Sequence, residues 1–179
     1  MEYRILKREE IEFMRNIDRS ETINGIYYFE NGELKIKKVF WEMKGFPSGE
    51  LDHIVERLYI LYDNGGVIFG AFDPDNGAIA GITALENKFR GNGKDTMKMD
   101  ILFVSKPYRG KGIAKKLIDF IKKEVRARGG GKVYVSATES KNTVEFYIYM
   151  GCRIVAKSEI DAELFEMEPE DIHMILDVH

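Results

Sequence analysis

The segment Met99 to Val125, MDILFVSKPYRGKGIAKKLIDFIKKEV, constrains this chain most. An apolar run, Asp100 to Ser105, enters a short loop holding Pro107, Gly110 and Gly112. Beyond it Ile113, Leu117, Ile118, Ile121 and Val125 share one helical stripe. A strand that turns through glycines into an amphipathic helix satisfies both patterns. That order points several backbone N–H groups of the turn and helix start at one place, an arrangement suited to an anion.

The charge pattern sharpens this reading. Helix starts favour Asp and Glu, which complement the positive end of the dipole. Here the loop and first turns carry Lys106, Arg109, Lys111, Lys115 and Lys116, with no acid before Asp119. Such local conflicts gather where a site requires them, and a bound phosphate or pyrophosphate turns the conflict into attraction. A dinucleotide fingerprint, G-x-G-x-x-G, fails because Lys115 stands where the third glycine belongs. The phosphate-loop pattern G-x-x-x-x-G-K-[ST] occurs nowhere.

A chain of 179 residues, 44% apolar and 32% charged, is expected to be one soluble domain spanning 1–179. A net charge of −3 disfavours nucleic acid as the main partner. The single cysteine, Cys152, allows no internal disulfide and fits a reducing cytoplasm. The charged N-terminus, MEYRILKREEIEF, is unlike a signal peptide, and no apolar run reaches membrane-spanning length. A cytoplasmic location without a membrane partner is expected.

In chain order, Tyr3–Leu6 reads as a strand and Arg8–Ile17 as a helix. Ile23–Glu30 and Leu34–Phe40 flank Asn31-Gly32, a strong hairpin signal. Leu51, Ile54, Val55, Leu58, Tyr59 and Leu61 mark a second helix that stops at Asn64-Gly65-Gly66. Val67–Asp73 and Ala78–Phe89 read as antiparallel strands around Pro74–Gly77. That turn lacks the Glu of a calcium loop, because the twelfth position is Ala84. Lys132–Thr138 is a strand, Asn142–Met150 a short helix, and Gly151–Ala156 and Ile172–Val178 are strands. The unit from Asp100 to Thr138 is a parallel crossover; the earlier strands are antiparallel. The expected class is therefore α/β with a mixed sheet.

Arg109 through Ala114 matches R-x-x-G-x-A, which resembles the coenzyme A signature of the GNAT superfamily of N-acetyltransferases. A second motif, ESKNTVEFYIYMGCRI, places Asn142, Phe146, Tyr147, Gly151 and Cys152 where that family carries an early Asn and an F-Y-x-x-x-G run. The resemblance covers roughly Val67 to Ala156. It implies a mostly antiparallel sheet with a splayed parallel central pair, and acetyl-CoA as co-substrate in the gap. Phe103, Val104 and Ser105 would then meet the pantetheine arm. Arg109, Gly110, Lys111, Gly112, Ile113 and Ala114 would hold the pyrophosphate, with Asn142 and Tyr147 completing the coenzyme site.

The implied reaction is direct attack of a primary amine of a small molecule or peptide on the thioester, in a ternary complex without metal. An alkylammonium, with pKa near ~10, must lose a proton first. The oxyanion needs donors, for which the resemblance offers a backbone N–H near Val104. The leaving thiolate benefits from an acid. Tyr147 takes the acid role in this reading. Asp100 is the candidate base, with Glu86 in reserve. Cys152 reads as a small buried apolar group. His53, His173 and His179 lack metal-ligand spacing and read as surface or core groups.

Tyr27, Tyr28, Trp41, Glu50, Asp52 and Glu56 fall on the acceptor side in the family. Seven acids and no base lie between Ser158 and Asp171, a pattern typical of a solvated loop. A homodimer stays open. A different class of function also fits: a GNAT-like module that binds acyl-CoA as a sensor without turnover.

Overall fold

The computed structural model describes residues 1–178; His179 lies outside them. Strand β1 (Glu2–Ile5) is followed by a 3-10 helix over Arg8–Asn16 and by β2 (Glu21–Glu30) and β3 (Glu33–Met43). Helix α1 (Glu50–Asp63) leads to β4 (Val67–Phe72), β5 (Ile79–Arg90) and β6 (Thr96–Val104). Then come α2 (Ile113–Ala127), β7 (Lys132–Ala137), α3 (Lys141–Tyr149), β8 (Arg153–Ile154), α4 (Ala162–Met167) and β9 (Ile172–Asp177).

One sheet runs β1-β4-β5-β6-β7-β9-β8. Every neighbouring pair in it is antiparallel except β6 with β7. That parallel pair touches only at Thr96–Lys132, Met97–Val133 and Lys98–Tyr134. Beyond Lys98 the two strands part, while β6 stays paired with β5 as far as Val104 opposite Gly81. Asp100 sits at a register break between Met99 opposite Leu85 and Ile101 opposite Ala84. Such a bulge bends a strand and re-aims its side chains.

The period of two along each strand sends alternate residues to opposite faces. Val67, Phe69 and Ala71 of β4 pack with Ile113, Leu117 and Ile121 of α2. Ile68 and Phe72 face the other way, onto Ile54, Leu58, Ile11 and Met14. Gly70, between them, is required: a Cβ there would stand 2.7 Å from the Phe72 ring and 2.9 Å from Leu6. A smaller cluster of Tyr134, Val155, Leu164 and Ile175 lies beneath α4. The sheet face opposite α2 is thus apolar under α1 and again under α4. Between those clusters, Lys98, Asp100 and Ser136 leave a polar seam.

The structure departs from the sequence reading in five places. The first helix is 3-10, which suits Ile11, Met14 and Ile17 spaced by threes on one buried edge. The β2–β3 hairpin stands as its own ribbon, with Asn31 and Gly32 both at positive φ. Strand β6 begins at Thr96, earlier than Asp100, because Met97 and Met99 are buried against α2. The acidic run contains α4, anchored by Leu164, which is 3% exposed. Gly151–Ala156 shortens to β8, paired with β9 at Arg153 and Ile154.

Candidate active site

A cavity of about 1340 Å³ opens where β6 and β7 separate. This exceeds the roughly 300–1,000 Å³ of pockets for drug-sized ligands, leaving room for a long ligand beside an acceptor. Its long wall is the stretch of β6 from Met99 to Val104, whose edge toward β7 is left unpaired by the splay. The ribbon closes one side. The Tyr27 N–H donates to the Glu139 carbonyl at 2.8 Å, and Ile26 bridges to Ser140.

At one end lies the glycine loop. Gly110 and Gly112 have φ of +74° and +76°, the left-handed region that glycine enters without strain. Among the described residues, the N–H groups of Gly110, Lys111, Gly112, Ile113, Ala114 and Lys115 find no backbone acceptor; the first helical bond runs from Lys116 to Gly112. Six donors on one tight turn, flanked by cations, are an arrangement suited to an anion. No acid occupies the first turn of α2.

Not every predicted coenzyme residue faces this space. Phe103, Val104, Gly110, Gly112, Ile113 and Ala114 line the cavity. Arg109 also lines it, but its guanidinium donates to the carbonyls of Val104 and Ser20, each at 2.9 Å. It ties the end of β6 to the segment before β2. Asn142 lines the cavity while donating to Glu21 at 2.7 Å. Ser105 and Lys111 are not among the lining residues. The Ser105 N–H is spent on Ala80, its hydroxyl accepts from the Asp18 N–H, and the Lys111 ammonium sits over the Tyr108 ring.

Tyr147 comes from α3, whose start is capped by Ser140 accepting from the Thr143 N–H. The ring packs edge-on against Phe146, and the residue lines the cavity. Among the described residues its hydroxyl has no hydrogen-bond partner, leaving it for a ligand. Burial, and secondarily Cys152 and Asp171, raise its pKa, so the hydroxyl keeps its proton. Cys152 is itself buried, with burial pushing its thiol up to about 12. It has the character of a core residue rather than of a nucleophile.

Asp100 lines the same cavity, with its carboxylate clamped between Arg57 Nε and Lys98 Nζ, each at 2.8 Å. Burial works to raise its pKa, but Lys98 and Arg57 outweigh it and hold the carboxyl below its usual range. A base needs proton affinity, and this environment removes it. Glu86, the reserve candidate, pairs with Arg90 at 2.7 Å and Lys98 at 3.6 Å.

Sequence reasoning missed the opposite wall. Asp171 precedes β9 and accepts a hydrogen bond from the Ser136 hydroxyl at 2.8 Å. Burial raises its pKa; Ser136 lowers it in part, and Glu139 raises it further. Glu168 is likewise raised, by burial and by Asp171. Nothing in the acid-rich segment distinguishes these two by spacing; only the position of β9 brings them inward. Arg57 escaped notice because it lies outside the apolar positions that mark the second helix. Of the histidines, His53 lines the cavity, and His173 Nδ1 lies 2.6 Å from the Tyr134 hydroxyl with Nε2 buried and unpartnered among the described residues. Among those residues no group of three or more His, Cys, Asp or Glu is placed to hold a metal.

The model of the acetyltransferase (GNAT) domain matches residues 57–168. The chain belongs to this family. The match takes in β6, the glycine loop, α2 and α3, so the loop donors and Tyr147 fall within the family's shared part. No curated protein matches this GNAT chain in sequence. Among solved structures, a nourseothricin acetyltransferase superposes with a TM-score of 0.74 at 19% identity, over 99% of this chain and 98% of that one. A putative streptothricin acetyltransferase from Bacillus anthracis, in complex with acetyl coenzyme A, gives 0.69 at 17%, over 99% and 97%. The ribosomal-protein-S18-alanine N-acetyltransferase from Escherichia coli gives 0.60 at 13%, over 99% and 93%. At these identities the likeness is one of fold.

Proposed function

We propose that this GNAT acetyltransferase, acting as one domain, transfers the acetyl group of acetyl-CoA directly to a primary amine of a small molecule or peptide. The observation that carries the reading is the run of six N–H groups from Gly110 to Lys115 that, among the described residues, have no backbone acceptor, at the mouth of the β6–β7 splay. A diphosphate bound there lays the pantetheine arm along Phe103 and Val104, as a peptide adds to a sheet edge. The thioester then lies toward Tyr147, whose protonated hydroxyl donates to the departing sulfur. A backbone N–H near Val104 supports the oxyanion. The ribbon and α1 bound the acceptor side, where Trp41, Glu50 and His53 line the cavity. Solved relatives of the fold are named for acetylating nourseothricin, streptothricin and a ribosomal protein's alanine, which supports an amine acceptor without choosing among them.

The test is release of free thiol from acetyl-CoA with spermidine, kanamycin, streptothricin and a lysine-containing peptide. Tyr147→Phe should lower turnover by about 10²-fold, the usual range for a lost general acid, while coenzyme affinity holds. Undiminished turnover in that variant removes Tyr147 from the mechanism. Coenzyme binding with no transfer to any amine would instead favour a sensor module.

A further inference from the structure

The cavity holds two carboxylates in opposite surroundings. Asp100 has two cations against it, Arg57 and Lys98. Asp171 has a neutral hydroxyl, Ser136 Oγ–H at 2.8 Å, and no cation in contact among the described residues. Both line the same space as Tyr147. Pairs of titratable groups driven apart by their environments divide acid and base roles between them.

Resting on the transferase reading, we propose that Asp171 takes the proton from the acceptor's ammonium group before the amine attacks. One N–H bond of the ammonium breaks and its proton passes to the Asp171 carboxylate. The freed nitrogen lone pair forms the bond to the thioester carbon while the carbonyl electrons move onto oxygen, and the C–S bond breaks as that oxyanion collapses. The thiolate takes the Tyr147 proton, and the second proton leaving nitrogen restores Tyr147. Asp171 returns its own proton to water, so the sum is amide, free thiol and one proton.

Placement supports this assignment. Asp171 is fixed at the entry to β9 through an N–H bond to the Glu168 carbonyl at 3.2 Å, with Ile172 already paired to Ala137. Ser136, its partner, stands on β7 just past the point where that strand leaves β6. The carboxylate is thus on the wall facing the unpaired edge of β6, along the polar seam between α1 and α4. The groups around it are Glu139 after β7, Glu168 after α4, Lys98 on β6, Arg19 before β2, and the hydroxyls of Tyr134 and Tyr147. Burial and Glu139 raise its proton affinity against Ser136, Lys98 and Arg19. Asp100, by contrast, is committed to its ion pairs.

The experiment is the pH dependence of kcat/KM, read by thiol release with whichever amine of the panel reacts fastest, for the native chain, Asp171→Asn, Ser136→Ala and Asp100→Asn. Asp171→Asn should lose about 10²-fold in kcat/KM and the limb that falls at low pH, while binding acetyl-CoA within twofold of native. Ser136→Ala removes a bond to the ionised carboxylate, so its low-pH limb should move to higher pH. Asp100→Asn should retain the limb, displaced to lower pH by the Lys98 charge it leaves uncompensated. An Asp171→Asn chain with native rates, or a Ser136→Ala limb that stays put, overturns the assignment. If Asp171→Asn does not fold, the Ser136→Ala limb decides alone. If the native chain binds acetyl-CoA and acetylates no amine, the transferase reading fails and this assignment with it.

Discussion

Arg57 Nε and Asp100 Oδ2 meet at 2.8 Å, joining α1 to the bulge of β6 beneath the cavity. The carboxylate side chain is only 1% exposed, and Lys98, 8% exposed, closes its other oxygen. Removing one member of such a buried set leaves a charge stranded, which costs more than the intact pair contributes. Asp100→Asn strands Lys98 with only the more distant Glu86 at 3.6 Å. The expected loss is about 3 kcal/mol, seen as a lower urea midpoint at unchanged m-value. A midpoint equal to native would mean the pair is not formed in solution.

Gly112 tests the loop by backbone strain alone. Its φ is +76°, yet an added Cβ meets no atom within 4 Å. Gly112→Ala should therefore fold, at a cost of about 1–2 kcal/mol for the left-handed residue. It should also weaken acetyl-CoA binding, because the loop donors are displaced when the strain relaxes. Thermal denaturation and a coenzyme titration on the same sample separate the two effects.

Glu10 gives a pH signature unrelated to catalysis. The Arg4 guanidinium and the Lys7 N–H hold its carboxyl down to about 2. That lies below the unfolded value of about 4.3, so its contribution is present above that pH and fades as pH falls toward 2. The melting-temperature gap between native and Glu10→Gln should be widest near neutrality and close by pH 2. A gap that persists at pH 2 assigns the effect to packing.

Cys152 should resist thiol reagents at pH 8 in the native state, since burial lifts its thiol to about 12. It should react at the rate of global unfolding, and Cys152→Ser should acetylate amines as the native chain does. Fast native labelling would show that the thiol reaches the cavity.

How much of this was legible in the residues differs from element to element. The crossover unit was, because an apolar run, two loop glycines and a five-member helical stripe leave few alternatives; the lysines at the helix start carry the expectation of an anion there. The nature of the first helix was legible only in retrospect: threefold spacing of Ile11, Met14 and Ile17 fits a 3-10 repeat as well as one edge of an α-helix. The role of Arg109 was not, since the carbonyls it reaches, Ser20 and Asp18, lie far away in sequence. Nor was the contrast between Asp100 and Asp171. Proton affinity is set by neighbours, and the neighbours come from α1 and β7, elements with no sequence mark linking them to those carboxylates.

The most direct test of the central claim is the shift in melting temperature with saturating acetyl-CoA, CoA, ATP and NAD. At about a hundred times its dissociation constant, a ligand of the native state adds roughly 2.7 kcal/mol, a shift of several degrees. The account predicts that both CoA species raise the melting temperature and that NAD leaves it unchanged. No response to either CoA species would contradict it, and the six N–H groups from Gly110 to Lys115 would then need another anion.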